Sequence, residues 1–233
     1  MKILILQVLT PDINDYSIYS IPINIDYSIK RNYDFLLYTS KKEEINYHPA
    51  WLKITSFYDI KVDKYDWIWI LDVDAVINNQ EIKIEDIISD CDKPIIISKN
   101  DKNGGRYLNS GSILIKSKFV KDLLLKYEDC VSNNSPFLNE RFWDQELIND
   151  WYDENPEHFS VREMQELNSH WRVYKLNEED CLKYGVDYKE PYDQQNNLIH
   201  HFMSLPKDIR IEWMRNNWIN KQLERFKKII NKK

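Results

Sequence analysis

Glycine is scarce in this chain of 233 residues, with only Gly104, Gly105, Gly111 and Gly185 present. None stands in a G-x-G-x-x-G or G-x-x-x-x-G-K-[ST] string, which excludes the two common backbone cradles for a nucleotide's phosphates. Alanine occurs only as Ala50 and Ala75, a bias that reflects an AT-rich gene and carries no chemistry. Cys91, Cys130 and Cys181 are widely separated and form no C-x-x-C pair. That pattern excludes a disulfide framework and a zinc site, and it predicts reduced thiols in a cytoplasmic compartment. No segment reaches the ~20 uninterrupted apolar residues that a membrane helix needs. The apolar opening, Met1 to Leu9, is too short to span a bilayer and runs into Pro11-Asp12 without a small-residue cleavage pattern, so it reads as a first strand in a soluble, unanchored protein. Basic charge is also in deficit. A net charge of -6 and a pI near 5.5 exclude the basic surplus of a nucleic-acid binder, and the Lys-rich end, Lys227-Lys228 through Lys232-Lys233, reads as a solvated helix terminus.

What is present suits one folded domain spanning 1–233. Hydrophobic residues at 42% and aromatics at 13% are enough for a single core. Strand signals fall at Lys2 to Val8, Asp34 to Tyr38, Trp67 to Asp72, Pro94 to Ser98 and Ser112 to Ile115. Helical patterns lie between and after them: around Tyr16 to Arg31, from Pro49 with Trp51, Leu52, Ile54, Phe57 and Tyr58 turned inward, at Ser117 to Cys130, and at Glu140 to Tyr152. A last helix at about 206–230 places Ile209, Trp213, Leu223, Phe226 and Ile230 near one face, which predicts that it packs back on the domain. The alternation predicts an α/β fold with a mixed, mainly parallel sheet flanked by helices.

The most telling stretch is Tyr65-Asp66-Trp67-Ile68-Trp69-Ile70-Leu71-Asp72-Val73-Asp74-Ala75-Val76-Ile77. A buried strand ends there in two carboxylates, which are costly in such surroundings unless a cation or donors compensate them. Side chains at i and i+2 of an extended strand share a face, so Asp72 and Asp74 can converge on one hard cation. The alternative is a pair of turn-forming or helix-capping aspartates. With no glycine loop available, a carboxylate-held metal is the obvious means of gripping a nucleotide's phosphates.

Four further stretches accompany the pair in order. His48-Pro49-Ala50-Trp51-Leu52-Lys53-Ile54 precedes it, and Leu108-Asn109-Ser110-Gly111-Ser112 follows. Phe142-Trp143-Asp144-Gln145-Glu146, then Gln165-Glu166-Leu167-Asn168-Ser169, and finally Ile199-His200-His201-Phe202 complete the series. Over roughly residues 30 to 210 this order resembles the metal-dependent GT-A glycosyltransferase family that contains plant xyloglucan xylosyltransferases and fungal α-galactosyl- and α-mannosyltransferases. The resemblance implies a single-domain GT-A fold and a retaining transfer of a sugar from a UDP- or GDP-sugar to a glycan or glycosylated acceptor. It further implies Mn²⁺ or Mg²⁺ held by Asp72, Asp74 and His201, with Asp72 also reaching the ribose. Lys53, Asn109, Gly111 and Lys207 are implied donor contacts, and Asp144 and Gln145 the sugar pocket. Gln165 and Asn168 are weaker sugar or acceptor candidates.

On local grounds Asn109 to Ser112 reads as a tight turn in which Gly111 permits close approach to a ligand. His200, next to His201 in a strand, points to the opposite face and takes a different role. Two other classes remain open to the sequence. Asp72-Val73-Asp74-Ala75-Val76 also fits the first motif of haloacid-dehalogenase-like phosphatases, though here two strands precede it and Asp90-x-Asp92 is a poorly placed partner. A catalytically inactive subunit that binds nucleotide sugars is the other.

Overall fold

The computed structural model describes residues 1–40, 47–100, 107–139, 142–170, 179, 182, 197–203 and 206–230. Gly104, Gly105, Cys181, Gly185 and the expected helix start at Glu140 lie outside them. The strands are β1 (Ile3–Leu9), β2 (Asp34–Thr39), β3 (Trp67–Leu71), β4 (Ala75–Ile77), β5 (Ile95–Lys99), β6 (Leu108–Lys116), β7 (Phe159–Arg162), β8 (Ser169–His170) and β9 (Ile199–His201). The α-helices are α1 (Asn14–Arg31), α2 (Leu52–Thr55), α3 (Ile84–Ile88), α4 (Val120–Ser132), α5 (Trp143–Glu154), α6 (Met164–Leu167) and α7 (Lys207–Ile230).

Six strands form one sheet in the order β2-β1-β3-β6-β5-β7, and β4, β9 and β8 form a small second sheet. β1 pairs in parallel with β2 and β3, and β5 with β7, while β6 runs antiparallel to both β3 and β5. The mixed, mainly parallel α/β architecture is therefore as the sequence pattern predicts.

Apolar residues cover both faces of the sheet, which is why its strands read as continuous hydrophobic runs. Leu4, Leu6, Ile68, Ile70, Ile113 and Ile115 pack on one side with Trp51, Ile54, Leu123, Leu147 and Trp151 from α2, α4, α5 and the turn before α2. Ile3, Ile5, Trp67, Trp69, Leu71 and Leu114 face the other way and meet Tyr27, Ala75, Ile77, Ile84 and Ile199. Burying each of the larger side chains contributes roughly 1.5–3 kcal/mol. Tyr16, Ile23, Val73, Val76, Phe202 and Met214 form a third cluster that ties α1 and α7 to the loop after β3.

Three expectations change. Asn109 to Ser112 is not a turn but the first half of β6, because Leu108–Lys116 finds hydrogen-bonding neighbours on both sides, with a register shift at Ile97/Ser98. β3 stops at Leu71, and Asp72 to Ala75 forms the turn, closed by Ala75 N donating to Asp72 O at 3.0 Å. Last, the expected inward face of the terminal helix is inward only in part: Ile209 and Trp213 are half-buried, with Trp213 against the third cluster, but Leu223 and Phe226 are exposed, and the side chain of Ile230 lies outside the described residues. Among the described residues, no helix is long and apolar enough to cross a membrane.

Candidate active site

The site lies beyond the carboxyl ends of β1 and β3, where open α/β sheets commonly place ligands. Because β6 runs antiparallel, its start reaches the same edge: Leu71 pairs with Ser112, and Asp72 N donates to Gly111 O at 2.9 Å. The turn carrying Asp72 and Asp74 is held from below by buried amides and a hydroxyl. Gln7 Nε2 donates to Asp72 O at 3.0 Å, Asn24 Nδ2 donates to Ala75 O at 3.0 Å, and Asn24 Oδ1 accepts from Ile77 N at 2.8 Å. Ser20 Oγ donates to Val73 O. Residues of β1 and α1 thereby satisfy backbone groups that a turn inside a core would otherwise leave unpaired.

β4 pairs with β9 and sets Ala75 opposite His201, which brings the imidazole over the turn. His201 Nε2 lies 3.1 Å from Asp74 Oδ1 and 3.8 Å from Asp72 Oδ2. One ligand atom from each of Asp72, Asp74 and His201 falls within 4.8 Å of the others. Two carboxylates and an imidazole make a donor set that could hold a divalent metal ion. Gly111 makes this possible, since a Cβ there would sit 2.2 Å from His201 Cε1 and 2.7 Å from Nδ1. Gly111→Ala is accordingly expected to displace the imidazole, costing about 1–3 kcal/mol of stability and most of the metal affinity. Calorimetric titration with Mn²⁺ checks this, and unchanged affinity would show that His201 is not a ligand.

A second cluster adjoins the first. Lys53, 9% exposed, places Nζ 2.9 Å from Asp72 Oδ1 and 2.7 Å from Asp144 Oδ2, and donates to Ser110 O and Oγ at 3.3 Å each. Burial alone would lower the Lys53 ammonium, but Asp144 and Asp72 outweigh it and hold its pKa above the usual range. Burial pushes the Asp144 carboxyl up despite the pull of Lys53. α5, which carries Asp144 and Gln145, is fastened to β6 by Asn149: its Oδ1 accepts from Leu108 N at 2.8 Å and its Nδ2 donates to Leu108 O at 3.1 Å. Gln145 Oε1 accepts from Ser110 N at 3.4 Å.

The turn leading to Lys53 starts at His48, whose Nδ1 accepts from Ala50 N and whose ring stacks on Trp143 with centroids 3.3 Å apart. Phe142 and Trp143 hold φ values of 81° and 33° at the start of α5. Bulky residues take such conformations at a cost, which the surrounding packing must offset.

Arg210, from the first turn of α7, is the functional candidate that sequence reasoning missed. Its Nη1 lies 3.0 Å from Asp74 Oδ2 and donates to Tyr16 OH at 3.3 Å. Burial would raise the Asp74 carboxyl, but His201 and Arg210 together hold it below the ordinary carboxylate range. Lys207 instead pairs with Asp15 at 2.8 Å and donates to Asp12 O at 3.0 Å, outside the cavity lining. The sequence signal for Arg210 was its place one turn after Lys207 on the same helix.

These groups line one cavity of about 480 Å³, together with Thr10, Asp12 and Tyr16 after β1. Asn109 also lines it, its Oδ1 accepting from Gly111 N at 2.9 Å and from Asn168 Nδ2. Asn168 is buried behind Asn109, and His200 is buried on β9 opposite Val76, outside the lining. The side chain of Gln165 lies outside the described residues.

No protein-family model and no curated relative matches the sequence. Solved structures do match. A glycosyltransferase involved in glycosylating the major capsid of PBCV-1 superposes with a TM-score of 0.69 at 15% identity, over 92% of this chain and 99% of that one. The fold is GT-A. Galactosyltransferase LgtC, solved with donor and acceptor sugar analogs, gives 0.55 at 12% identity over 93% and 95% of the two chains. GlyE of Streptococcus pneumoniae TIGR4 gives 0.59 at 13% identity, covering 99% of this chain and 64% of its own. In this fold the candidate metal group, the Lys53 cluster and Arg210 share one crevice.

Proposed function

We propose that this protein is a glycosyltransferase that moves a sugar from a UDP- or GDP-sugar to a glycan or glycosylated acceptor, with retention at the anomeric carbon. The observation that carries this reading is the convergence of Asp72, Asp74 and His201 in a cavity that also holds Lys53 and Arg210. Three buried or half-buried carboxylates, Asp72, Asp74 and Asp144, face two cations, Lys53 and Arg210, and the residual negative charge suits a divalent ion. The cavity volume falls within the range of small-molecule sites.

Asp72, Asp74 and His201 would hold Mn²⁺ or Mg²⁺, which supplies charge stabilisation to the departing diphosphate. Arg210 adds a fixed positive charge beside Asp74, in reach of the same anion. As the bond from the anomeric carbon to the phosphate oxygen breaks, the sugar gains oxocarbenium character. Asp144 and Gln145 stabilise it and orient the ring. The acceptor hydroxyl bonds to the anomeric carbon from the side the phosphate leaves, and its proton passes to the departing phosphate oxygen. Gln145 Nε2 is buried and without a hydrogen-bond partner among the described residues, which fits a donor reserved for a sugar hydroxyl. Asn109 and Gly111 complete the wall against which the donor lies.

The test is a panel of UDP- and GDP-sugars assayed for nucleotide release with and without Mn²⁺. The reading expects release from one donor class that EDTA abolishes, and retained anomeric configuration by NMR of the product. Absence of release from every donor, together with metal-dependent hydrolysis of a phosphomonoester, would instead favour a phosphatase.

A further inference from the structure

Helix α7 carries apolar side chains on two sides. One side faces the domain: Met214 is buried, Trp218 meets Tyr19 with ring centroids 6.4 Å apart, Lys221 Nζ donates to Asn78 O at 2.6 Å, and Arg225 pairs with Asp26 at 2.9 Å. On the other side Ile219, Leu223 and Phe226 are 41%, 52% and 61% exposed. Steps of four and three residues align them within about 60° of the helix circumference. Scattered exposed apolar residues need no explanation, but a row along the outer side of a helix marks an interaction surface.

The charge around this row identifies its partner. Residues 215–233 contain seven Lys and Arg against one acidic residue, Glu224, in a chain whose net charge is -6. The basic surplus is thus concentrated at the end that bears the exposed row, and everything before it is strongly acidic. Laying two such helices row to row in a second copy would bring like charges together. An anionic surface, by contrast, attracts this end and repels the rest, which fixes the orientation.

We propose that α7 seats the protein on the surface of an anionic bilayer. Ile219, Leu223 and Phe226 enter the boundary between headgroups and acyl chains, and the lysines that follow the row, from Lys227 onward, supply the charge that meets anionic headgroups. Arg210, in the cavity, begins the same helix. At ~1.5 Å of rise per residue it lies roughly 14–24 Å along the axis from the row. The cavity is thereby held near the surface, within reach of acceptors displayed there.

Flotation of the full chain with vesicles tests the proposal. An equal mixture of phosphatidylcholine and phosphatidylglycerol is expected to bind at least about tenfold more tightly than phosphatidylcholine alone, and added NaCl should weaken the binding. Leu223→Ser with Phe226→Ser, and separately Lys227→Glu with Lys228→Glu, should each reduce binding about tenfold or more while leaving the thermal midpoint and nucleotide release unchanged. Equal binding to both vesicle types, no binding to the anionic ones, or full binding by either variant would overturn it. So would a dimer in sedimentation equilibrium that Phe226→Ser dissociates, with no vesicle association by either form.

Discussion

Asp74→Asn is expected to lower kcat/KM for the preferred donor about a thousandfold or more. The carboxylate stands between His201 Nε2 at 3.1 Å and Arg210 Nη1 at 3.0 Å, so it serves both the candidate metal group and the half-buried guanidinium. Charge stabilisation of a leaving group by a bound metal is worth several kcal/mol, and each 1.36 kcal/mol is tenfold in rate. The amide keeps the shape but gives up the charge. Stability also falls, because the Arg210 guanidinium loses the charge of the Asp74 carboxylate while keeping Tyr16 OH, a change of about 1.5–3 kcal/mol. Rates must therefore be measured well below the variant's thermal midpoint. Activity within threefold of the parent under those conditions would remove Asp74 from the mechanism. The neighbouring histidines supply an internal control: His201→Ala should weaken Mn²⁺ dependence far more than His200→Ala, because only His201 lines the cavity. Equal effects would count against His201 as a ligand.

Lys53→Met is expected to be the most destabilising single change in the site, by about 3–5 kcal/mol. The ammonium lies between Asp72 and Asp144, and Asp144 is only 4% exposed. Without Lys53 the Asp144 carboxylate has no cation, and burial, already the strongest influence on it, drives it toward the neutral form. Adding Asp144→Asn removes the uncompensated charge, so the double variant should recover much of the lost stability. Contacting groups are non-additive in this way. Donor turnover should remain low in the double variant, since the sugar pocket has lost its charge. Denaturant melts of the parent, both single variants and the double variant check the cycle. Additive losses would mean that Lys53 and Asp144 act independently.

Much of this site was legible because its chemistry clusters in short strings. Asp72-Val73-Asp74 ends an uninterrupted apolar strand, and Lys53, Asp144 and His201 each stand in a recognisable setting of Trp, Gln or Phe. The strand period also gave β1, β2, β3 and β5 to within a residue or two at their ends. What was not legible depends on pairing partners distant in sequence. Leu108 to Ser112 resembles a turn by composition, yet two neighbouring strands hold it extended, and Gly111 is needed for the His201 ring and not for a bend. The carboxylates converge through a turn closed at Ala75, where the strand alternation had suggested a shared face. β4, β8 and β9 are two or three residues long and carry too little pattern to be read alone. Arg210 was hidden because its role depends on how α7 packs against α1, which helix period alone does not give.

In the proposed function Asp72, Asp74 and His201 grip a metal-bound nucleotide diphosphate. Thermal unfolding of the parent and of Asp74→Asn with Mn²⁺, with UDP or GDP, and with both together tests it most directly, since ligands selective for the folded state raise its midpoint by mass action. Metal and one of the nucleotides together should raise the parent's midpoint by more than the sum of their separate shifts, and Asp74→Asn should abolish this excess. An equal nucleotide shift in EDTA, or an excess that survives in Asp74→Asn, would contradict it.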